Sequence, residues 1–436
     1  MRDNMSVKII SKTKKKIILQ VEVDLSGSML EMEDAILSVC NKVGCVSTKE
    51  ALTRFDTDGS SIMMGSIKLT SKGIFSKTYQ TPYGETDVKR YIYQTSRGGK
   101  THCPLESGAR IIRDTTPRFA KMLSNKYARM PAPELVGDME DNHGRKIATS
   151  FLQNVADEVS SIAQLKEENW EYTIPKMKNP IKAVVASLDG AYLLMHEHGY
   201  RESMVGTISL YDEQGERQHT IYIGASPEYG KAIFLRRLED EIHRTKKEYP
   251  RAVWLGLADG AKDNWSFLEK HTDKQLIDFY HATEYLKLAA EAIYVGENEK
   301  PQHKIWIDDQ CHRLKHEMYA ARNILVELTK VKKQGILKDE ARKKLRASIT
   351  YFTNNEHRMN YWEHIEKNLP IGSGVTEAAC KTLVKHRLCA SGMRWKDRGI
   401  KTVMSLRSLV LTKERWAQFW EKIAQYGVPN FQVFTS

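Results

Sequence analysis

The sequence is poor in cysteine and lacks any long apolar run, and both features narrow what the protein can be. Its six cysteines follow no regular spacing, which argues against a disulfide framework and for a reducing compartment. No stretch approaches the roughly 18 consecutive apolar residues of a membrane helix. The N-terminus has no apolar core of the kind found in signal peptides. We therefore expect a cytoplasmic protein without membrane association.

The charge balance is the clearest feature of the composition. Lysine and arginine number 67 against 55 acidic residues, which gives a net charge of +12 over 436 residues. A basic surplus on a large protein favours a polyanionic partner, and nucleic acid is a more common partner of this kind than a membrane surface. The hydrophobic content of 41% is ordinary for a globular chain. The length leaves room for several domains.

Changes in periodicity divide the chain into a series of segments. We expect two of these segments, which a helical insertion separates, to form the two parts of one α/β core. The predicted order is an N-terminal α/β segment (1–60), a small β-rich domain (61–115), a three-helix domain (116–165), a linker (166–180), the first part of the core (181–290), the helical insertion (291–360), and the last part of the core with C-terminal helices (361–436).

Two predicted core strands end in the same acidic dipeptide. Each is an apolar run that closes in Asp-Gly, one at Asp189 and the other at Asp259, and such runs predict buried strands. The surrounding order of strand, hairpin, helix, strand, helix, strand and helix is that of a ribonuclease H-like fold with a mixed sheet. In that order the first and fourth strands are neighbours, so we predict that the two aspartates lie side by side. Adjacent carboxylates repel each other, and a divalent cation between them relieves the repulsion.

A third acid follows a break in the helical insertion. The sequence Leu-Pro-Ile-Gly-Ser-Gly at 369–374 predicts the start of a new helix. Ser373 can cap that helix, and Glu377 falls within its first turn, where the positive end of the helix favours a carboxylate. A glutamate here is typical of simple capping. Because Glu377 follows two predicted strands that end in Asp-Gly, the sequence favours its interpretation as a third metal ligand.

The three-helix domain carries a possible DNA-reading helix. Helices are predicted over 118–130, over 133–142 and from Arg145 to about 162, with a glycine turn before the third, which is the outline of a helix-turn-helix. In that interpretation the third helix enters the major groove. Its reading side chains would be Arg145, Lys146, Ser150, Gln153 and Asn154. An ordinary three-helix scaffold fits the pattern equally well.

Several sequence patterns resemble metal-binding sites but lack a required ligand. The sequence beginning at Asp56 resembles a calcium loop, but Ser61 and Ile67 replace the required glycine and glutamate. His312 and His316 share one helical face without a third ligand in the sequence nearby. We interpret the first as a polar turn and the second as a solvated helix face.

A set of short motifs, in a fixed order, carries a resemblance to a known family. The motifs are Arg-Phe-Asp-Thr-Asp-Gly at 54–59, Asn-His-Gly-Arg at 142–145, Asp-Gly at 189–190, Ala-Asp-Gly at 258–260, Asp-Phe-Tyr-His at 278–281, the run from 369 to Glu377, Ser-Gly-Met-Arg-Trp at 391–395, and Arg-Trp at 415–416 near Phe-Trp at 419–420. With these motifs the chain resembles the ISKra-type bacterial insertion-sequence transposases. That group is related to the Mutator-like and hAT transposases, which carry a DDE triad of acids.

The resemblance implies a fold, a site and a reaction. Asp189, Asp259 and Glu377 would be the metal-binding triad, and Asp278 with His281 the Asp-x-x-His signature of the group. Two Mg²⁺ or Mn²⁺ ions would be held, with Asp189 bridging them and Asp259 and Glu377 each holding one. The enzyme would cleave double-stranded DNA at the terminal inverted repeats and join the freed 3′-hydroxyl to target DNA. It would act as a dimer or larger assembly at the bacterial nucleoid.

Two further assignments keep alternatives open. His281 would position phosphate or water, or else simply pack beside the site. A basic segment after Glu377 would follow the DNA backbone, or else form a solvated helix; its residues are Lys381, Lys385, Arg387 and Arg394. The rival functions are a nuclease or resolvase of the same fold without strand transfer, and a non-catalytic DNA-binding protein derived from a transposase.

Overall fold

The computed structural model describes residues 6–166, 170–227, 230–333 and 337–428. The chain divides into two units. Unit 1 contains the chain up to Tyr172, the stretch Lys401–Val410, and the chain from Glu414 onward; unit 2 contains Thr173–Ile400 and Leu411–Lys413. Among the described residues, no helix has the length and apolarity needed to cross a membrane.

Unit 1 begins with a hairpin and a long helix. Strands β1 (Val7–Lys12) and β2 (Ile17–Val21) pair antiparallel, and helix α1 (Met29–Thr53) follows. Ser28 and Glu31 form a reciprocal capping box at its start. The helix continues through Gly44, where the ring of Tyr83 lies so close that a Cβ would come within 2.2 Å of it.

A four-stranded sheet follows, and its neighbours are consecutive in the chain. It consists of β3 (Ile62–Met64), β4 (Ile67–Gln80), β5 (Glu85–Thr95) and β6 (Gly98–His102), all antiparallel. The short helix α2 (Pro104–Gly108) comes next. A small apolar core that includes Tyr79, Val88 and Leu105 lies under this sheet.

Three helices complete the N-terminal part of unit 1. They are α3 (Pro117–Arg129), α4 (Ala132–His143) and α5 (Thr149–Lys166). The third begins at Thr149 and not at Arg145 as predicted. Gly144 adopts a left-handed conformation with φ 60° and ends α4, and the backbone N–H of Arg145 donates to Met139 O within that cap. These bonds hold Arg145 in the connection, so the next helix starts later.

Unit 2 is built on one mixed sheet of five strands. Its strands are β7 (Ile181–Met195), β8 (Gly199–Asp212), β9 (Arg217–Ala225), β10 (Val253–Ala258) and β11 (Lys274–Ile277), arranged in the order β11-β10-β7-β8-β9. The pairs β7–β8 and β8–β9 are antiparallel, whereas β10 is parallel to both β7 and β11. The first and fourth strands of the unit are therefore neighbours, as the sequence predicted.

Helices surround this sheet and make up the rest of unit 2. Those near the sheet in sequence are α6 (Gly230–Glu248), α7 (Lys262–His271) and α8 (Phe279–Ile293). The predicted helical insertion contains α9 (Lys300–His316), α10 (Ala320–Lys333) and α11 (Asp339–Asn355), followed by α12 (Tyr361–Glu366). A single apolar core joins the sheet strands to these helices.

The C-terminal part of the chain is helical. Helix α13 (Gly374–Ala379) runs directly into a π-helix at Cys380–Lys385 and a last turn, α14 (His386–Leu388). Helices α15 (Asp397–Leu411) and α16 (Arg415–Tyr426) follow. A π-helical turn is rare and occurs often at functional sites, and this one begins three residues after Glu377.

Candidate active site at the carboxyl ends of the parallel strands

Three aspartates align at one end of the parallel part of the sheet. The last paired residues are Leu257 with Ser187 and Ala258 with Ile277. Continuing these registers past the strand ends aligns Asp189, Asp259 and Asp278 across β7, β10 and β11. Neighbouring strands lie about 4.8 Å apart, so the sheet holds the three acids as one line. We refer to these three residues as the acid row.

The position of Asp189 in its strand differs from the predicted position in one respect. Strand β7 does not stop there but continues to Met195 in antiparallel pairing with β8, while its parallel pairing with β10 ends at Ser187. The acid is therefore next to the point where β10 leaves the sheet. Gly190 follows because a Cβ there would come within 2.0 Å of Glu202 Oε1. Glu202 faces Gly190 and so lies on the side of the sheet opposite to Asp189.

Asp259 lies in the bend between β10 and α7. Its Oδ1 accepts a hydrogen bond of 3.2 Å from Ala261 N, and its backbone oxygen accepts one of 2.9 Å from the hydroxyl of Tyr351. Gly260 has φ 114°, a conformation that favours glycine, and the Tyr351 ring lies against it. These contacts fix the bend that carries the second acid.

Asp278 anchors the segment that carries Glu377. It is fully buried, and its Oδ1 accepts a 3.0 Å hydrogen bond from His281 N at the start of α8. Its Oδ2 accepts a short hydrogen bond from Ser373 N, and Phe279 N donates to Ile371 O at 3.0 Å. Asp278 therefore attaches the beginning of residues 371–380, here named the Glu377 segment, to the end of β11.

The other end of the Glu377 segment reaches Asp189. Cys380 Sγ donates to Asp189 Oδ2 at 3.5 Å. Between the two ends, Thr376 Oγ1 lies 2.7 Å from Thr207 Oγ1, and Thr207 pairs with Ser187 on the sheet face that also carries Asp189. The segment thus packs on the acid row's face, with Glu377 between its two anchoring contacts.

The pKa of the Cys380 thiol is affected by both neighbouring carboxylates. Burial raises its pKa, and the charge and hydrogen bond of Asp189 raise it further, with a smaller contribution from Glu377. Glu377 lies three residues before Cys380 in the same segment, but the carboxylate oxygens of Asp189, Asp259 and Glu377 do not all lie within 4.8 Å of one another. Ser373 takes the capping position predicted for it but makes no side-chain cap bond.

Among the described residues, no base forms an ion pair with these acids. Within the described parts of the chain, no lysine, arginine or histidine nitrogen lies within 4.0 Å of a carboxylate oxygen of Asp189, Asp259 or Glu377. The three are partly exposed. Within the described chain, these acids are therefore left without an ion-pair partner.

His281 lies beside this site on α8. It is partly exposed, and its Nδ1 is 3.5 Å from Glu284 Oε2 on the same helix. Its backbone N–H is the group that binds Asp278. The observed contacts of its ring are with α8 and not with Asp189, Asp259 or Glu377.

The basic segment after Glu377 divides into exposed and buried side chains. Lys381, Lys385 and Arg394 are exposed. Arg387 is buried, with its guanidinium over the Trp395 ring at 5.2 Å. Three of the four predicted phosphate contacts are thus available on the surface of unit 2.

The predicted DNA-reading residues of unit 1 divide in the same way. Ser150 and Gln153 are exposed on α5, and Asn154 is partly exposed beside them. Lys146 is exposed and pairs with Glu140 at 3.0 Å. Arg145 is buried. Its guanidinium donates to Gln80 Oε1 at 2.7 Å and lies over the Phe119 ring, and burial lowers its pKa.

A separate cluster could hold a metal ion. Glu239 and His243 on α6 and His271 at the end of α7 have ligand atoms that all lie within 4.8 Å of one another, and no other described group of three or more such residues does so. Burial lowers the pKa of His271, and the charges of His243, Lys246 and Lys270 act in the same direction. This cluster was not predicted from the sequence. Its local signal is only the four-residue spacing of Glu239 and His243.

The pair His312 and His316 has the same helical spacing. The ring centroids are 4.7 Å apart, but no third ligand joins them within the described chain.

Neither a scan against protein-family models nor a search of curated proteins finds a match for this chain.

Proposed function

We propose that this protein is a DNA transposase with a ribonuclease H-like catalytic core. It would cleave the ends of its element by metal-dependent phosphodiester hydrolysis and join the freed 3′-hydroxyl to target DNA. One observation carries the proposal: Asp189 and Asp259 align at neighbouring strand ends, and the Glu377 segment is anchored on the same face, with no basic partner for the three acids among the described residues.

The three acids supply the donor type that a hard divalent cation prefers, although their carboxylate oxygens do not all lie within 4.8 Å of one another. Carboxylate oxygens are the donors that Mg²⁺ prefers, and the uncompensated charge favours a cation from solution. Asp189 would contribute to both of two ions, with Asp259 and Glu377 each contributing to one. Bound there, Mg²⁺ or Mn²⁺ would stabilise the charge that develops on the entering and leaving oxygens of a phosphodiester.

The protein's own groups would orient the site and the DNA. Asp278 holds the Glu377 segment against the strand ends through Ser373 N, so it acts as a positioning residue. The exposed Lys381, Lys385 and Arg394 follow Glu377 in the chain and would contact backbone phosphates. Such contacts position the DNA without reading its sequence. On α5, the exposed Ser150 and Gln153 would contact the element ends, with Asn154 and Lys146 nearby.

The decisive experiment replaces one acid without changing its shape. Asp189→Asn should reduce Mg²⁺-dependent cleavage of an element-end duplex by more than the roughly 100-fold that loss of an outer-shell partner costs. DNA affinity should stay near that of the unaltered protein. Asp263→Asn is the matched control, because this exposed aspartate follows Asp259 closely and pairs only with Lys231 at the surface.

The products separate the proposed function from its rivals. Cleavage followed by joining to a second duplex supports the transposase. Cleavage without joining would assign the same site to a nuclease or resolvase. Asp189→Asn cleaving at the unaltered rate would remove the acid row from the chemistry, and binding without any cleavage would favour a non-catalytic DNA-binding protein.

A further inference from the structure

Unit 2 contains a second set of metal-binding groups, distant from the acid row. Glu239 and His243 are four residues apart on α6, so they lie on one face of that helix. His271 is the last residue of α7 and faces them. Its Nε2 is 3.5 Å from Glu239 Oε1, and its ring centroid is 5.8 Å from that of His243.

The spacing of these atoms suits a tetrahedral ion. Ligands about 2.1 Å from zinc at tetrahedral angles are about 3.4 Å apart. The observed separation of 3.5 Å between Glu239 and His271 matches that value, and all three ligand atoms lie within 4.8 Å of one another. Rotation of the exposed His243 side chain would supply the small remaining adjustment.

The mixture of ligands selects the class of ion. Two imidazoles and one carboxylate suit zinc and similar transition metals, whereas Mg²⁺ prefers an all-oxygen set. His243 is exposed and Glu239 partly so, so the fourth position faces solvent and would be taken by water.

From this geometry we infer that Glu239, His243 and His271 form a zinc site that joins α6 to α7. Helix α7 begins at Lys262, three residues after Asp259, and ends at His271. Its 10 residues separate the two ends by about 15 Å. The zinc site is therefore distinct from the acid row. Its role is to fix the far end of the helix that follows the second acid.

The test measures zinc binding directly, without DNA and without catalysis. Full-length protein is stripped with a chelator and titrated with Zn²⁺ by calorimetry, and with Co²⁺ to obtain the absorption of its bound form. We expect one site in the unaltered protein. His243→Gln, an exposed position that should not disturb folding, should weaken it by about 10-fold or more.

Two control variants exclude other sources of binding. His316→Gln removes one of two histidines with the same helical spacing but no third ligand, and it should leave zinc affinity unchanged. Asp189→Asn should also bind zinc normally while it loses cleavage, so the zinc site and the proposed function can fail separately.

The outcomes that overturn the inference are specific. One is the absence of a stoichiometric zinc site in the unaltered protein. Another is equal affinity in His243→Gln. Binding that disappears in Asp189→Asn and persists in His243→Gln would place the ion at the acid row instead.

Discussion

Glu106 in unit 1 and the candidate site acids of unit 2, all partly exposed, have opposite environments. In unit 1, Glu106 Oε1 receives Lys77 Nζ at 2.9 Å, the hydroxyl of Tyr79 at 2.8 Å and Arg90 Nε at 3.3 Å. Burial alone would raise the pKa of Glu106, but those hydrogen bonds and positive charges outweigh it and hold the pKa below its usual value. In unit 2, the described chain offers Asp189, Asp259 and Glu377 no such partner.

In the proposed function, this difference separates acids that stabilise the fold from acids that bind a ligand. A carboxylate surrounded by the protein's own bases has its charge balanced on folding. Carboxylates that lack an ion pair within the described chain leave their charge available to an external cation. The contrast predicts different consequences when each kind of acid is neutralised.

The largest effect should come from Asp278, the fully buried member of the acid row, whose two carboxylate oxygens both accept hydrogen bonds from backbone donors. Asp278→Ala leaves Ser373 N and His281 N without their buried acceptor and should cost about 3 kcal/mol of unfolding free energy. Because the Glu377 segment loses its anchor, cleavage should also fall about 10- to 100-fold. Urea unfolding and a cleavage assay measure the two effects.

A conservative variant serves as the control for that experiment. Asp278→Asn keeps an oxygen that can accept one of the two hydrogen bonds, so it should lose less stability than the alanine variant. If both variants unfold like the unaltered protein, Asp278 does not anchor the segment.

Neutralising Glu106 should destabilise the protein by a smaller amount. Glu106→Gln leaves Lys77 and Arg90 without their shared carboxylate, and because the side chain is partly exposed the cost should be about 2 kcal/mol. Thermal or urea unfolding measures it. Glu140→Gln, which removes an exposed pair with Lys146, should change stability little. Equal effects from the two variants would contradict the distinction between buried and surface pairs.

The smallest effect concerns Glu363, a structural acid of unit 2. Hydrogen bonds from Lys274 and Lys367 lower its pKa to about 2 from an ordinary 4.5. Since the folded pKa lies below the unfolded one, the stabilisation is complete above pH 4.5 and is lost as the pH falls toward 2. With allowance for solvent screening it amounts to about 1 kcal/mol at neutral pH.

A pH series of unfolding measurements tests this. Glu363→Gln should be less stable than the unaltered protein at pH 7, and the gap should close as the pH falls below 4.5. Glu366→Gln, an exposed neighbour on the same helix, is the control. A gap that stays constant with pH would show that the two lysines do not act through the charge of Glu363.

The sequence was sufficient for features that depend on local periodicity and element order. The neighbouring positions of Asp189 and Asp259 follow from the order of strands, and β7 and β10 are indeed paired. The start of α5 was wrong by four residues, because the cap that includes Arg145 and Met139 depends on hydrogen bonds that periodicity does not reveal.

Other features depend on packing between residues far apart in the chain. The bond from Ser373 N to Asp278 spans 95 residues, and the contact of Cys380 with Asp189 spans 191. His271 meets Glu239 only through the packing of α7 against α6. Nothing in the local sequence specifies these distances, so the anchoring of Glu377 and the second metal-binding cluster required the structure.

The stability of Asp189→Asn, with and without Mg²⁺, tests the central claim most directly. If the acids are kept for a cation, the variant should equal or exceed the unaltered protein in chelator, by up to about 1 kcal/mol. Added Mg²⁺ should then stabilise the unaltered protein more than the variant. A variant that is less stable in chelator, with the same response to Mg²⁺ as the unaltered protein, would contradict the account.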